Sequence, residues 1–143
     1  MSAFFLSFSY LIMIHKFGNK YLIAFWGWTI LILIVTTFPG NYIPKPTNFL
    51  NLFQPDKIVH LILFLPFSFF WLEYKKLTDR VFLRKFQKYL SIFIVGTIYA
   101  SSTELIQYFV QIGRNGNVYD LIADCCGILL GILFFDYRNR KKR

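Results

Sequence analysis

Residues Tyr21 to Phe38 read YLIAFWGWTILILIVTTF, and their reading decides the fold. No charged side chain interrupts the chain from Tyr21 to Pro44. A helix of this length crosses a hydrocarbon layer of about 30 Å with little tilt. Tyr21 suits an interfacial position, and Trp26 and Trp28 lie in the same half of the segment. Pro39, Gly40, Pro44 and Pro46 end the span and form a loop.

Three further apolar segments follow. One runs from about Ile58 to Tyr74, with His60 near its start and Pro66 near its middle, where the missing N–H bends the helix. Another runs from about Tyr89 to Val110 and carries one charge, Glu104. The last runs from about Val118 to Phe135, with Asp120 and Asp124 near its start. The second and fourth are shorter than an ideal span. The expected fold is therefore all-α, an integral membrane bundle of four transmembrane helices. The bundle domain occupies residues 21–135, between an N-terminal segment 1–20 and a basic tail 136–143. The first 14 residues, MSAFFLSFSYLIMI, are too short to span and lack the basic start of a signal peptide. An interfacial segment and a true start at Met13 are equal readings of them.

Composition agrees with this architecture. Of 143 residues, 56% are hydrophobic, 21% are aromatic and 16% are charged, yet the net charge is +9. Disorder needs low hydrophobicity. A disulfide-stapled secreted domain needs more than 2 cysteines. Cys125 and Cys126 are adjacent, cannot easily bond to each other in a helix, and read as small packing groups. No recognition motif interleaves the basic residues, so no nucleic-acid partner is expected.

The basic residues are unevenly distributed. Alternate segments outside the spans carry 13 Lys and Arg on one side and 3 on the other. The positive-inside bias puts the richer side, with both termini, in the cytoplasm, as for a multi-pass protein of a bacterial cytoplasmic membrane. The basic loop and tail would meet anionic lipid headgroups.

The opposite side gathers a different chemistry. Asp56 and His60 open the second span four residues apart, so they share a helix face. Glu104 and Gln107 close the third span, Arg114 lies in the loop Gln111 to Asn117, and Asp120 and Asp124 open the fourth. Ionisable groups within spans are costly and face the bundle interior or a wet cavity. Glu104 lies about 9 Å inside its span at a rise of about 1.5 Å per residue. Its mundane role is an ion pair with Arg114 or a hydrogen bond to His60. Asp56 and Asp120 have mundane roles at helix starts. Below the acids, Gly96 and Ala100 in the third span, and Gly127 and Gly131 in the fourth, recur every four residues and let helices approach closely. The short loop makes spans three and four an expected antiparallel hairpin, with Glu104 opposite Asp120 and Asp124. His60, Glu104, Asp120 and Asp124 are suitable ligands for a divalent ion, but no compact motif such as HExxH is present. No metal and no cofactor is expected on that ground.

The ordered pattern Asp56-Lys57-Ile-Val-His60, Glu104-Leu-Ile-Gln107-Tyr-Phe, Arg114, Asp120-Leu-Ile-Ala-Asp124 and Gly127 resembles the VanZ-like family, over roughly Tyr21 to Phe135. The resemblance implies a small bacterial membrane protein with about four spans. The founding member of that family is associated with reduced susceptibility to the glycopeptide teicoplanin. In the family the position of Asp124 is commonly Asn, so this chain adds an acid there.

Two functions follow as expectations. The first is a binding or envelope-modulating protein, in which Asp56, His60, Glu104, Gln107, Arg114, Asp120 and Asp124 form an outer-face pocket for a lipid head group, a cell-wall precursor or a glycopeptide. The alternative is an intramembrane hydrolase or transferase acting on a lipid-linked substrate, with His60, Glu104 and Asp120 as candidate catalytic residues. No Ser or Cys nucleophile stands in a recognisable context, which favours binding. A proton pathway fares worst, because no polar side chain lies between Gly127 and Phe135 to relay a proton.

Overall fold

The computed structural model describes residues 18–38, 55–78, 85–110 and 117–141. They form four α-helices, α1 (Asn19–Thr37), α2 (Pro55–Thr78), α3 (Lys85–Val110) and α4 (Val118–Arg140). No strand occurs among the described residues. Each helix is long and apolar enough to cross a membrane. The first 14 residues, the loop containing Pro39 to Pro46, and Gln111 to Gly116 lie outside the described residues.

α2 and α4 outlast their apolar runs. They reach 24 and 23 residues, because Lys75 and Lys76 extend one and Arg138 and Arg140 the other. Lys and Arg are good helix formers, and their long stems carry the charge outward from an apolar body. The ends are also electrostatically complementary: Asp56 and Asp120 lie in first turns and the basic residues in last turns. Asn117 caps α4. Its side chain accepts from Tyr119 N at 3.0 Å and its carbonyl from Asp120 N at 2.9 Å.

In an apolar solvent, hydroxyls must find partners inside the helix. Thr29, Thr36, Thr37, Ser101 and Ser102 each donate to the carbonyl four residues earlier, at 2.6–2.8 Å. Ile23, Ile30, Ile98 and Leu133 point outward and are more than half exposed, as lipid-facing residues would be.

α2 is the hub, in contact with all three other helices, and its largest interface is with α4. The glycine stripe of α4 faces α2, while Gly96 of α3 meets the Ile128 side chain of α4. A Cβ added at Gly127 would stand 2.5 Å from the Leu61 carbonyl oxygen. One added at Gly131 would collide with the Leu65 carbonyl oxygen and Ser68 Oγ. Ser68 Oγ in turn donates to the Ile128 carbonyl at 2.9 Å. The short loop between α3 and α4 constrains them to be neighbours in the chain but does not dictate the tightest contact. Backbone approach does, and only the glycine face of α4 permits it.

α1 completes the bundle through aromatic groups. The Trp28 indole donates to the Leu63 carbonyl at 2.6 Å, and the Tyr99 hydroxyl to the Thr29 carbonyl at 2.6 Å. Phe25 packs on Phe67 and Trp71, both at 4.9 Å between ring centroids, and Phe67 stacks on Tyr99 at 5.6 Å. The aromatic runs are thus divided: Phe69 and Phe135 are buried, while Phe134 is half exposed.

Because the glycines meet backbone atoms, substitution there has a clear expected cost. Gly131→Ala should lower stability by about 1–3 kcal/mol through overpacking. Gly27→Ala, with nothing within 4 Å of the added Cβ, should be neutral or slightly stabilising. Thermal unfolding of the two variants in one detergent compares them directly.

Candidate functional site

Four buried polar side chains converge at the end of the bundle where α2 and α4 begin and α3 finishes. His60 on α2 is 1% exposed, Asp124 on α4 is 0%, Asp120 on α4 is 4% and Glu104 on α3 is 8%. The helical spacing of Gly127 explains part of this. Asp124 lies one turn before it, so the close contact with α2 carries Asp124 to the residue next to Leu61. That residue is His60, and its Nδ1 lies 2.9 Å from Asp124 Oδ1.

Glu104 approaches the same nitrogen from α3. Its Oε1 is 3.7 Å from His60 Nδ1, and its Oε2 accepts from the backbone N–H of Asn117 at 2.8 Å. Glu104 therefore ties the end of α3 to the cap of α4. Of its two mundane roles, the structure describes the contact with His60; Arg114 lies outside the described residues. Two acceptor atoms remain conspicuous. Glu104 Oε1 and Asp124 Oδ2 are buried with no hydrogen-bond partner among the described residues. Such atoms are costly in an apolar interior.

The remaining residues read from the sequence divide into two groups. Asp56 is exposed at the start of α2, and its carboxylate joins His60 and Asp120 in a group whose nearest ligand atoms lie within 4.8 Å of one another. His60, Glu104 and Asp124 form a second group of the same size, entirely buried. The two share His60, so this imidazole has carboxylates around it from α2, α3 and α4. Gln107 is buried but serves a different contact: its Nε2 donates to the Thr36 carbonyl at 2.7 Å and fastens α3 to α1.

The family model described as VanZ/LLP1 matches residues 4–138. The chain belongs to the VanZ/LLP1 family. No curated protein and no solved structure matches it. As a VanZ/LLP1 protein with four helices able to span a bilayer, it is a multi-pass membrane protein.

Sequence reasoning missed some of this VanZ/LLP1 chain's polar chemistry. Thr36 is buried and receives Gln107 through its carbonyl, a role that no side-chain type signals. A second polar node lies at the opposite end of the bundle. There Asp136 pairs with Lys85, with Arg140 Nε at 2.9 Å and with the Tyr89 hydroxyl at 3.0 Å. Beside it, buried Glu73 lies 3.3 Å from Arg138. The charges there could be counted from the sequence, but their pairing required the helices to be placed.

The arrangement can orient an imidazole, hold a cation between carboxylates, or present acceptors to a polar ligand. All three depend on coupling between His60 and Asp124. A double-mutant cycle of His60→Ala and Asp124→Ala should return a coupling of about 0.5–3 kcal/mol in unfolding experiments. Additive single effects would mean that the two side chains stabilise the bundle independently.

Proposed function

We propose that this protein binds the polar head group of a cell-envelope component in a bacterial cytoplasmic membrane. The binding pocket is the His60, Glu104, Asp120 and Asp124 cluster, opened to the surface by Asp56, with Arg114 from the neighbouring loop as its anion contact. The observation that carries the reading is the burial of four ionisable side chains from three helices at one end of an otherwise apolar bundle. Structural stability alone gives a membrane protein little reason to retain such a group, since burying charge costs more than packing apolar residues. The uneven distribution of Lys and Arg supports an extracytoplasmic position for the cluster and a cytoplasmic position for both termini. The family resemblance supports lipid-linked cell-wall precursors or glycopeptides as the class of ligand.

A catalytic reading is favoured by one specific contact. Asp124 fixes the His60 ring through Nδ1, an arrangement that leaves Nε2 free to act as a general base when Nδ1 carries the proton. Hydrolysis or transfer on a lipid-linked substrate would then be the reaction class.

Expression of the wild-type chain should shift envelope-stress or glycopeptide susceptibility. Glu104→Gln and Asp120→Asn should abolish the shift at equal protein level, and Gly27→Ala should retain it. An unchanged phenotype in both site variants overturns the binding pocket. Turnover of labelled lipid-linked precursors by purified protein, lost in His60→Ala, would establish the catalytic reading instead. The orientation has its own test. In a chain lacking Cys125 and Cys126, Asn115→Cys should react with a membrane-impermeant maleimide added outside intact cells. Protection until the membrane is permeabilised would put the cluster on the cytoplasmic face.

A further inference from the structure

The buried half of the cluster has the composition and spacing of a metal site. We propose that His60 Nδ1, Glu104 Oε1 and Asp124 bind one divalent transition ion of zinc or manganese type. The inference goes beyond the envelope-ligand reading and does not depend on it, because the ion is held by the chain's own side chains.

Zinc-type ions take imidazole nitrogen and carboxylate oxygen at about 2.0–2.2 Å, which sets ligand atoms of a tetrahedral site roughly 3.3–3.6 Å apart. The nitrogen lies 2.9 Å from Asp124 Oδ1 and 3.7 Å from Glu104 Oε1, on either side of that spacing. Ligand atoms of the three side chains lie within 4.8 Å of one another, so side-chain adjustments of about 1 Å or less bring them around one centre.

Glu104 Oε1 and Asp124 Oδ2 are buried and lack hydrogen-bond partners among the described residues, and Glu104 Oε1 is turned toward the His60 nitrogen. A cation between them would supply the interaction that each carboxylate lacks. On binding, the ion takes the place of the Nδ1 proton that otherwise bridges His60 and Asp124.

A single imidazole with two carboxylates suits zinc or manganese better than calcium, which takes six to eight oxygen ligands. Three protein ligands leave coordination positions for water or for an anionic ligand oxygen. Asp56, exposed, and Asp120, buried, share His60 with the inner group and form an acidic approach to it from the surface. Glu104 is fixed from behind by the Asn117 N–H, and Asp124 by the seating of α4 on α2, so two of the ligands are held before any ion arrives.

The test uses the full chain in detergent, freed of any affinity tag and stripped with chelator, with no envelope component added. Equilibrium dialysis against zinc alone and manganese alone, read by elemental analysis, should give one ion per chain for at least one of them. Magnesium and calcium should bind at least tenfold more weakly. Glu104→Gln, which retains the acceptor for Asn117 N–H, and Asp124→Asn should each weaken binding at least tenfold with unchanged helical content by circular dichroism. Asp56→Asn should preserve the stoichiometry. Absence of stoichiometric zinc and manganese binding by the wild-type chain overturns the proposal, as does wild-type-like affinity in both folded variants. Because no envelope ligand is present, failure here leaves the head-group pocket standing. Loss of the cellular phenotype reading likewise leaves the ion site standing.

Discussion

The closest contact in the bundle is between the glycine face of α4 and the backbone of α2. Gly127 and Gly131 lie against the carbonyls of Leu61 and Leu65, where any side chain would strike backbone oxygen. Lipid tails are as apolar as the helix surfaces, so burial of apolar area does not by itself drive two spans together. Shape must do so, and the absence of Cβ atoms at two positions one turn apart supplies it. Once α4 is seated, Asp124 meets His60, Ser68 reaches the Ile128 carbonyl, and Arg138 reaches Glu73. These three contacts run along the whole length of one helix pair, so a shift in its register would break all of them together.

The bilayer as solvent accounts for the separation of polar chemistry into two nodes. The middle of the bundle is filled by Phe64, Phe67, Leu72, Ile92 and Ile128, and its hydroxyls donate to backbone carbonyls, some in their own helix as for Thr29 and Ser101, others across helices as for Ser68 and Tyr99. At the Asp136 end, acids and bases are paired: Lys85, Arg140 and Tyr89 surround one carboxylate, and Arg138 faces Glu73, whose buried Oε1 likewise makes no hydrogen bond among the described residues. At the His60 end, one imidazole faces several carboxylates, and two buried oxygens lack hydrogen bonds among the described residues. The first node resembles a structural clasp. The second gathers carboxylates from three helices around one buried imidazole.

Much of the fold was legible in the sequence because hydropathy is a local property. The uncharged run from Tyr21, the three later apolar segments and their punctuation by Pro, Gly and charge require no knowledge of neighbours. The candidate site was legible in part for a related reason. Charged residues within spans are expensive, so His60, Glu104 and Asp124 stood out against their apolar context. Gln107 stood out equally, yet it fastens α3 to Thr36 instead of joining the acids. Spacing along a helix reports the face a residue occupies, but not which neighbour that face meets.

The sequence by itself determined the number of spans, their approximate limits, the family, and the small set of polar residues that the bundle has to accommodate. These follow from the transfer cost of each side chain and from motif order, both of which are written in one dimension. Only the tertiary structure decided that the glycine stripe of α4 packs against α2, although the short loop makes α3 its neighbour in the chain. It also decided that Asp124 and Glu104 meet at one nitrogen of His60. The physical reason is that helix pairing depends on surface complementarity between segments some sixty residues apart, as between His60 and Asp124. A difference of one turn in register would have left the same residues in the same order with no site among them.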